Sequence, residues 1–214
     1  MLRFFRFLPR TARPRQAAWL AIAAMLAIGC TSQRGAANPP QDAPAAATGD
    51  AGLSGFVPAG ATLRMSARGD LDGDGDEDAL IVVERAAAEA STAPRALYVL
   101  RRGADGALQT AVNSPKAILC RTCGGMMGDP LHSIRAGRGE FTLRFEGGSR
   151  ELWSSEYRFA YAPDRDGWRL TGIVFNGLDR ADGASAQRSR GPADFGDVPL
   201  ADFDPADFPA DALP

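Results

Sequence analysis

Residues 152–175 read "LWSSEYRFAYAPDRDGWRLTGIVF". Trp153, Tyr157, Phe159 and Tyr161 share one parity of position, and Ser154, Glu156 and Arg158 hold the other. Successive side chains of a strand point to opposite faces, so this two-residue period describes one apolar and one polar face. "PDRDG" (163–167) supplies turn residues, and a second strand follows through Trp168 and Leu170. The stretch predicts an antiparallel hairpin with one face packed and the other solvated.

The same grammar extends outward. "ALIVV" (79–83) is a short run of buried-strand type, and "ALYVL" and "ALQTAV" flank the glycine turn "GADG" as a hairpin. In "SIRAGRGEFTLRF" a second turn falls at "AGRG", after which Phe141, Leu143 and Phe145 share one face. Only "ERAAAEAS" (84–91) has helical character, and it is too short to stand alone. The expected class is mainly β: an antiparallel meander or small sandwich-like domain over 53–179. The aromatics read as core and cross-strand pairs; the sharper alternative for Trp153 and Trp168 is a carbohydrate-stacking platform.

Directly before "ALIVV" lies "DLDGDGDED" (70–78), with aspartates at every second position. Calcium takes six to eight oxygen ligands, and aspartates alternating along a tight loop can aim several carboxylates at one point. With Asp70 as the first position, Asp72 and Asp74 take the third and fifth, and Gly75 takes the sixth, where the chain must turn. Asp76 then offers its backbone carbonyl, and Asp78 its side chain or a bound water. The twelfth position, where an EF-hand needs a bidentate glutamate, is Ile81. The alternative is an Asp-rich turn without an ion.

This pattern, running directly into a strand, resembles the DxDxDGxxD loop of integrin-type FG-GAP and VCBS-like repeats. The segment from about 65 to 178, including "CRTCGGMMGDP", is similar to small bacterial proteins of that kind. The resemblance implies a structural calcium (Ca2+) loop in a β fold and carries no activity. "DRDG" (164–167) lacks the later ligands, and a single repeat cannot build a propeller.

The first 29 residues have the layout of a secretory signal: an arginine-rich start without acids, the apolar stretch "AAWLAIAAMLAIG" (17–29), then "AIGC". The apolar stretch is shorter than the ~20 residues of a spanning helix. "AIGC" resembles a bacterial lipobox, departing from it at Ala27, and that resemblance implies lipidation of Cys30 and a membrane anchor. The competing reading is an ordinary signal peptide. Thr31, in place of a retaining aspartate, points to the outer membrane, facing the periplasm or the exterior. Residues 30–52, small, polar and proline-containing, have the composition of a flexible tether. Removing the leader takes away five arginines and no acids, moving the formal charge from −2 to −7. Such a chain lacks the basic footprint of nucleic-acid binding.

Residues 180–214 are rich in Asp, Pro and Ala and repeat "ADF". They read either as a flexible acidic tail or as a segment whose Phe195, Phe203 and Phe208 dock on the domain's own sheet or on a partner.

Cys120 and Cys123 remain once Cys30 is assigned to lipid. Outside the cytosol they suit a structural disulfide pinning a local turn. A redox pair would need Cys120 at a helix start, yet "GGMMGDP" breaks helices. A zinc site recruiting His132 would lack a fourth ligand. No nucleophile elbow, zincin or phosphate-loop motif accompanies His132, the one histidine. Glu151 and Glu156 read as partners for arginines.

These readings converge on a lipid-anchored envelope protein with a calcium-stabilised β domain. It is a non-catalytic binding or assembly module whose partner is an envelope protein or a glycan. The alternative is a redox or metal-dependent accessory enzyme using Cys120, Cys123 and His132.

Overall fold

The computed structural model describes residues 52–87 and 93–209. Among them nine strands form two antiparallel sheets. The first holds β1 (Ala61–Gly69), β2 (Asp78–Arg85), β3 (Arg95–Arg102) and β4 (Leu108–Ser114). The second holds β5 (Leu131–Ala136), β6 (Glu140–Gly148), β7 (Glu151–Ala162), β8 (Gly167–Asp179) and β9 (Ser185–Arg190). Each strand pairs with the next in sequence, so both sheets are meanders. The mainly β reading holds.

The alternation of residues 152–175 becomes the β7–β8 hairpin. Tyr157 pairs with Ile173 and Phe159 with Leu170, and all four side chains are buried. Phe141 and Phe159, directly opposite across β6 and β7, stack with ring centroids 4.8 Å apart. These residues pack against Leu80, Val82, Leu97 and Val99 of the first sheet in one core. The other parity of β2, Ala79, Ile81 and Val83, forms a smaller cluster with Leu53 and Leu100 on the far side of the sheet. That explains why "ALIVV" is apolar at every position: both of its faces are covered.

Two expectations are corrected. Glu84 and Arg85 do not begin a helix; they complete β2, where Glu84 pairs with Thr62 and Arg95 in register. Residues 88–91 of that expected helix lie outside the described residues. The folded domain also does not end at Asp179. β9 pairs with β8, and a chain returning past Pro199 hydrogen-bonds Leu170 and Trp168 through Val198 and Leu200. Phe203 is fully buried, with its ring 5.0 Å from both Tyr157 and Phe159, and Phe208 stacks on Phe203. Self-docking of the "ADF" segment is therefore the reading that stands for residues 185–209. The leader, Cys30, nearly all of the tether and residues 210–214 lie outside the described residues.

The outer strands of each sheet are protected against edge-to-edge pairing. β1, β4 and β5 each carry a one-residue register shift, and β9 carries Arg188 and Arg190. In β5 the residue left over by the shift is His132.

Candidate functional site

The acidic loop joins β1 to β2 where the two sheets meet. Gly73 and Gly75 adopt φ of 83° and 100°, a left-handed conformation that lets the chain reverse within a few residues. Leu71 is fully buried, and its carbonyl accepts the indole N–H of Trp168 at 2.8 Å. The Asp70 carbonyl accepts Gly139 N–H at 2.7 Å. Asp78, fully buried at the start of β2, accepts Leu71 N–H on one carboxylate oxygen and Arg102 N–H on the other. The loop is thus tied to both sheets by hydrogen bonds that each use a backbone group and, in all but one, a side chain.

Its side chains converge. Asp70, Asp72 and Asp78 each place a carboxylate oxygen within 4.8 Å of the others. Burial holds the Asp72 carboxyl above its ordinary value of 3.8, and the charge of Asp74 adds to the effect. Burial likewise raises Asp78, opposed by the N–H groups of Arg102 and Leu71 and reinforced by Asp72 and Asp74. Asp70 Oδ1 is buried without a hydrogen-bond partner. Asp74 and Asp76 are exposed and stand outside this triad; Asp74 accepts Asp76 N–H at 2.8 Å, and Asp72 accepts Asp74 N–H at 3.1 Å. Two arginines approach: Arg101 Nε lies 3.7 Å from Asp72 Oδ2, and Arg138 Nε lies 3.5 Å from Asp70 Oδ2. Arg101 also donates to Tyr161 near the end of β7 and to Asp166 of the β7–β8 turn. The buried oxygen without a partner thus belongs to Asp70, one of the three converging carboxylates. Ile81 is buried in the smaller cluster, so no twelfth-position ligand exists.

Cys120 and Cys123 form a disulfide with Cα atoms 5.2 Å apart, inside a turn closed by Cys123 N–H to Cys120 O. A 3-10 turn, Gly125–Met127, follows, and Cys120 does not start a helix. Paired sulfurs leave no thiolate to act as nucleophile or zinc ligand. Asp129, just beyond, forms a two-pronged pair with Arg95, whose Nε also donates to Glu84 at 2.8 Å. Arg95 is 4% exposed, so this pair clamps the disulfide loop onto the first sheet.

His132 does not join the cysteines. Its Nδ1 lies 3.3 Å from Glu146 Oε2, and Arg144 holds the other oxygen of Glu146. Glu156 pairs with Arg158, as its sequence context suggested. Trp168 is 2% exposed and offers no stacking face. Trp153 lies on Gly147, where any added Cβ would collide with the indole, so it serves as packing. Beside it, on the outer face of the second sheet, is a cleft of about 220 Å³ lined by Met127, Glu146, Leu152, Ser154, Asn176 and Leu178. The sequence carried no motif for this cleft, because its walls come from strand positions paired across β6, β7 and β8.

Comparison with known proteins finds no matching family model, no matching curated protein and no matching solved structure.

Proposed function

We propose that this chain is a calcium-stabilised β domain, carried on the envelope by a lipid on Cys30, that acts as a non-catalytic binding or assembly module. The observation that carries the calcium reading is the convergence of Asp70, Asp72 and Asp78 around the buried, unpartnered Asp70 oxygen. Those three carboxylates would hold the ion, with Asp74 and Asp76 supplying the rest of the loop, as in the FG-GAP and VCBS-like repeats it resembles. The ion supplies charge neutralisation, and the loop's ties to Trp168, Gly139 and Arg102 carry that stabilisation to both sheets. An affinity of ~10⁻⁴–10⁻³ M suits an extracellular module without a twelfth ligand. The module reading rests on the sequence: a lipobox-like "AIGC" at Cys30 and a tether behind it. The partner is an envelope protein or a glycan. The alternative, a redox or metal-dependent accessory enzyme, has less support because its two cysteines are joined in a turn and His132 faces Glu146.

Calorimetric titration of the mature chain with calcium, beside Asp72→Ala and Asp74→Ala, tests the first half. A binding heat weakened in both variants supports it, and no heat refutes it. Membrane fractionation of Cys30→Ser tests the anchor: the variant should leave the membrane fraction. A pull-down from envelope extract, with and without calcium, tests the module.

A further inference from the structure

The outer face of the second sheet carries a row of polar side chains in register. Glu146 of β6 pairs with Ser154 of β7, Ser154 with Asn176 of β8, and Asn176 with Gln187 of β9. The side chains bond along the row: Asn176 Nδ2 donates to Ser154 Oγ at 3.1 Å, and Gln187 Nε2 donates to Asn176 Oδ1 at 2.7 Å. At the β6 end, Arg144 donates to one oxygen of Glu146, and His132 Nδ1 lies 3.3 Å from the other. Water could satisfy each of these half-exposed or exposed groups, so solvation does not require the bonds between them. What the bonds do is hold the groups in place. Asn176 keeps its second amide hydrogen, and Ser154, which accepts through its oxygen, keeps its hydroxyl hydrogen. A ligand finds them ordered in advance and loses little rotamer entropy on binding.

An apolar row lies beside the polar one. Leu152 and Leu178 are directly opposite, each two residues from Ser154 or Asn176 and therefore on the same face. Gly148 pairs with Leu152 and carries no side chain. Met127, on the disulfide loop that holds Gly148 N–H through Gly124 O, lines the same cleft. Two of the three exposed large hydrophobics among the described residues, Met127 and Leu178, thus line the cleft that also holds Glu146, Ser154 and Asn176.

The chemistry of the walls selects the occupant. The charged side chains lining the cleft, Arg144 and Glu146, neutralise each other at 2.7 Å, so nothing there favours a phosphate or a carboxylate. The backbone of β6, β7 and β8 is engaged in ladder bonds on both sides, so a peptide cannot be added here as a strand. Neutral hydroxyl and amide groups beside an aliphatic wall match a molecule with hydroxyls on its rim and C–H groups on its face, which is a neutral sugar ring. The cleft is smaller than the ~300 Å³ at which drug-sized ligand sites begin, which suits one ring with the rest of a sugar chain outside.

We propose that this cleft binds one ring of a neutral saccharide, with Glu146, Ser154 and Asn176 hydrogen-bonding its hydroxyls and Met127 and Leu178 covering its C–H face. The proposal rests on the binding-module reading, commits that reading to a glycan and gives it a location.

The test titrates the isotope-labelled mature chain, at fixed free calcium, with cellotetraose, maltotetraose and N-acetylchitotetraose, and with tetragalacturonate as the acidic control. The side-chain amide resonances of Asn176 and the methyl resonances of Met127 and Leu178 should shift saturably with at least one neutral sugar and not with the acidic one. Asn176→Ala should weaken binding of that sugar by about three- to tenfold, the worth of one hydrogen bond. Leu178→Ser, at a position 39% exposed, should weaken it by a similar factor and melt as the wild type does. Asp72→Asn should bind the sugar as the wild type does. No saturable shift with any neutral sugar, equal binding of tetragalacturonate, or wild-type affinity in Asn176→Ala or in Leu178→Ser overturns the proposal. If the pull-down from envelope extract then retains a protein, the module reading stands with a protein partner; if it retains nothing, that reading falls as well.

Discussion

Asp72→Asn offers a test in which the sign of the effect, and not only its size, is at stake. Asp72 lies in a triad whose carboxylate oxygens are all within 4.8 Å. At that separation each like-charge pair costs about 1 kcal/mol at the dielectric constant of water and about 3.5 kcal/mol at an effective constant of 20. The substitution removes two of these repulsions and one attraction, that to Arg101 at 3.7 Å. The asparagine oxygen can still accept Asp74 N–H. Without a cation the balance favours the variant by about 1–2 kcal/mol, less as salt screens the charges. With calcium it reverses. At about 50 mM and a dissociation constant of ~10⁻⁴–10⁻³ M, the wild type gains about 2.3–3.7 kcal/mol, and the variant, short of one ligand, gains far less. A domain of this size moves its melting temperature by about 2–4 °C per kcal/mol. Thermal melts of both chains in chelator, in calcium and in magnesium therefore suffice. Asp72→Asn should melt higher than wild type in chelator and lower in calcium. A shift of the same sign and size in both would refute the argument that the triad is a strained anionic cluster relieved by an ion.

Three further outcomes follow from the same geometry. Burial holds the Asp72 and Asp78 carboxyls above 3.8 in the folded chain, so in chelator their contribution falls as pH rises from 3.8 towards neutrality. Asp129 behaves oppositely: burial opposes its ionisation, but the Arg95 hydrogen bond, the Leu131 N–H and the charges of Arg95 and Arg64 together outweigh it and hold the carboxyl below 3.8, so its contribution is lost as pH falls through that range. Denaturant titrations from pH 3 to 7 should show the upper slope flattened in Asp72→Asn, and an unchanged slope would contradict the assignment. Phe203→Ala, which empties a fully buried aromatic site between Tyr157 and Phe159, should cost about 3–5 kcal/mol by urea denaturation; a loss below 1 kcal/mol would mean that the segment does not hold the core. Arg95→Met takes away the cation of Asp129 and the closest cation of the largely buried Glu84, which keeps only the longer contacts to Arg121 and Arg64, and should cost about 3 kcal/mol in the same assay.

The parts of the fold that were legible share a physical cause. β7 and β8 announce themselves because one face is buried and the other wet, which writes a period of two into the chain. The acidic loop is legible because its residues are consecutive. β9 was not, since "SAQRSR" is an edge strand with no fully buried position, held by hydrogen bonds that leave no trace in side-chain pattern. Glu84 misled for a related reason: beside a run of alanines it suggests a helix, and the cations Arg95 and Arg121, brought from other parts of the chain, make a buried strand glutamate tolerable. Phe203 was ambiguous because an aromatic among Asp and Pro looks the same in solution and against a sheet.

The sequence by itself determined the class of fold and three of its hairpin turns, and it pointed to the candidate cation ligands and to a disulfide between Cys120 and Cys123, all features set by residues near one another in the chain. Tertiary structure decided which aspartates converge, that the "ADF" segment closes the core, and that a single extra residue in β5 turns His132 towards Glu146 beside an exposed methionine turn. Those outcomes depend on strand register and on contacts between residues far apart in sequence, and no local pattern of side chains encodes either.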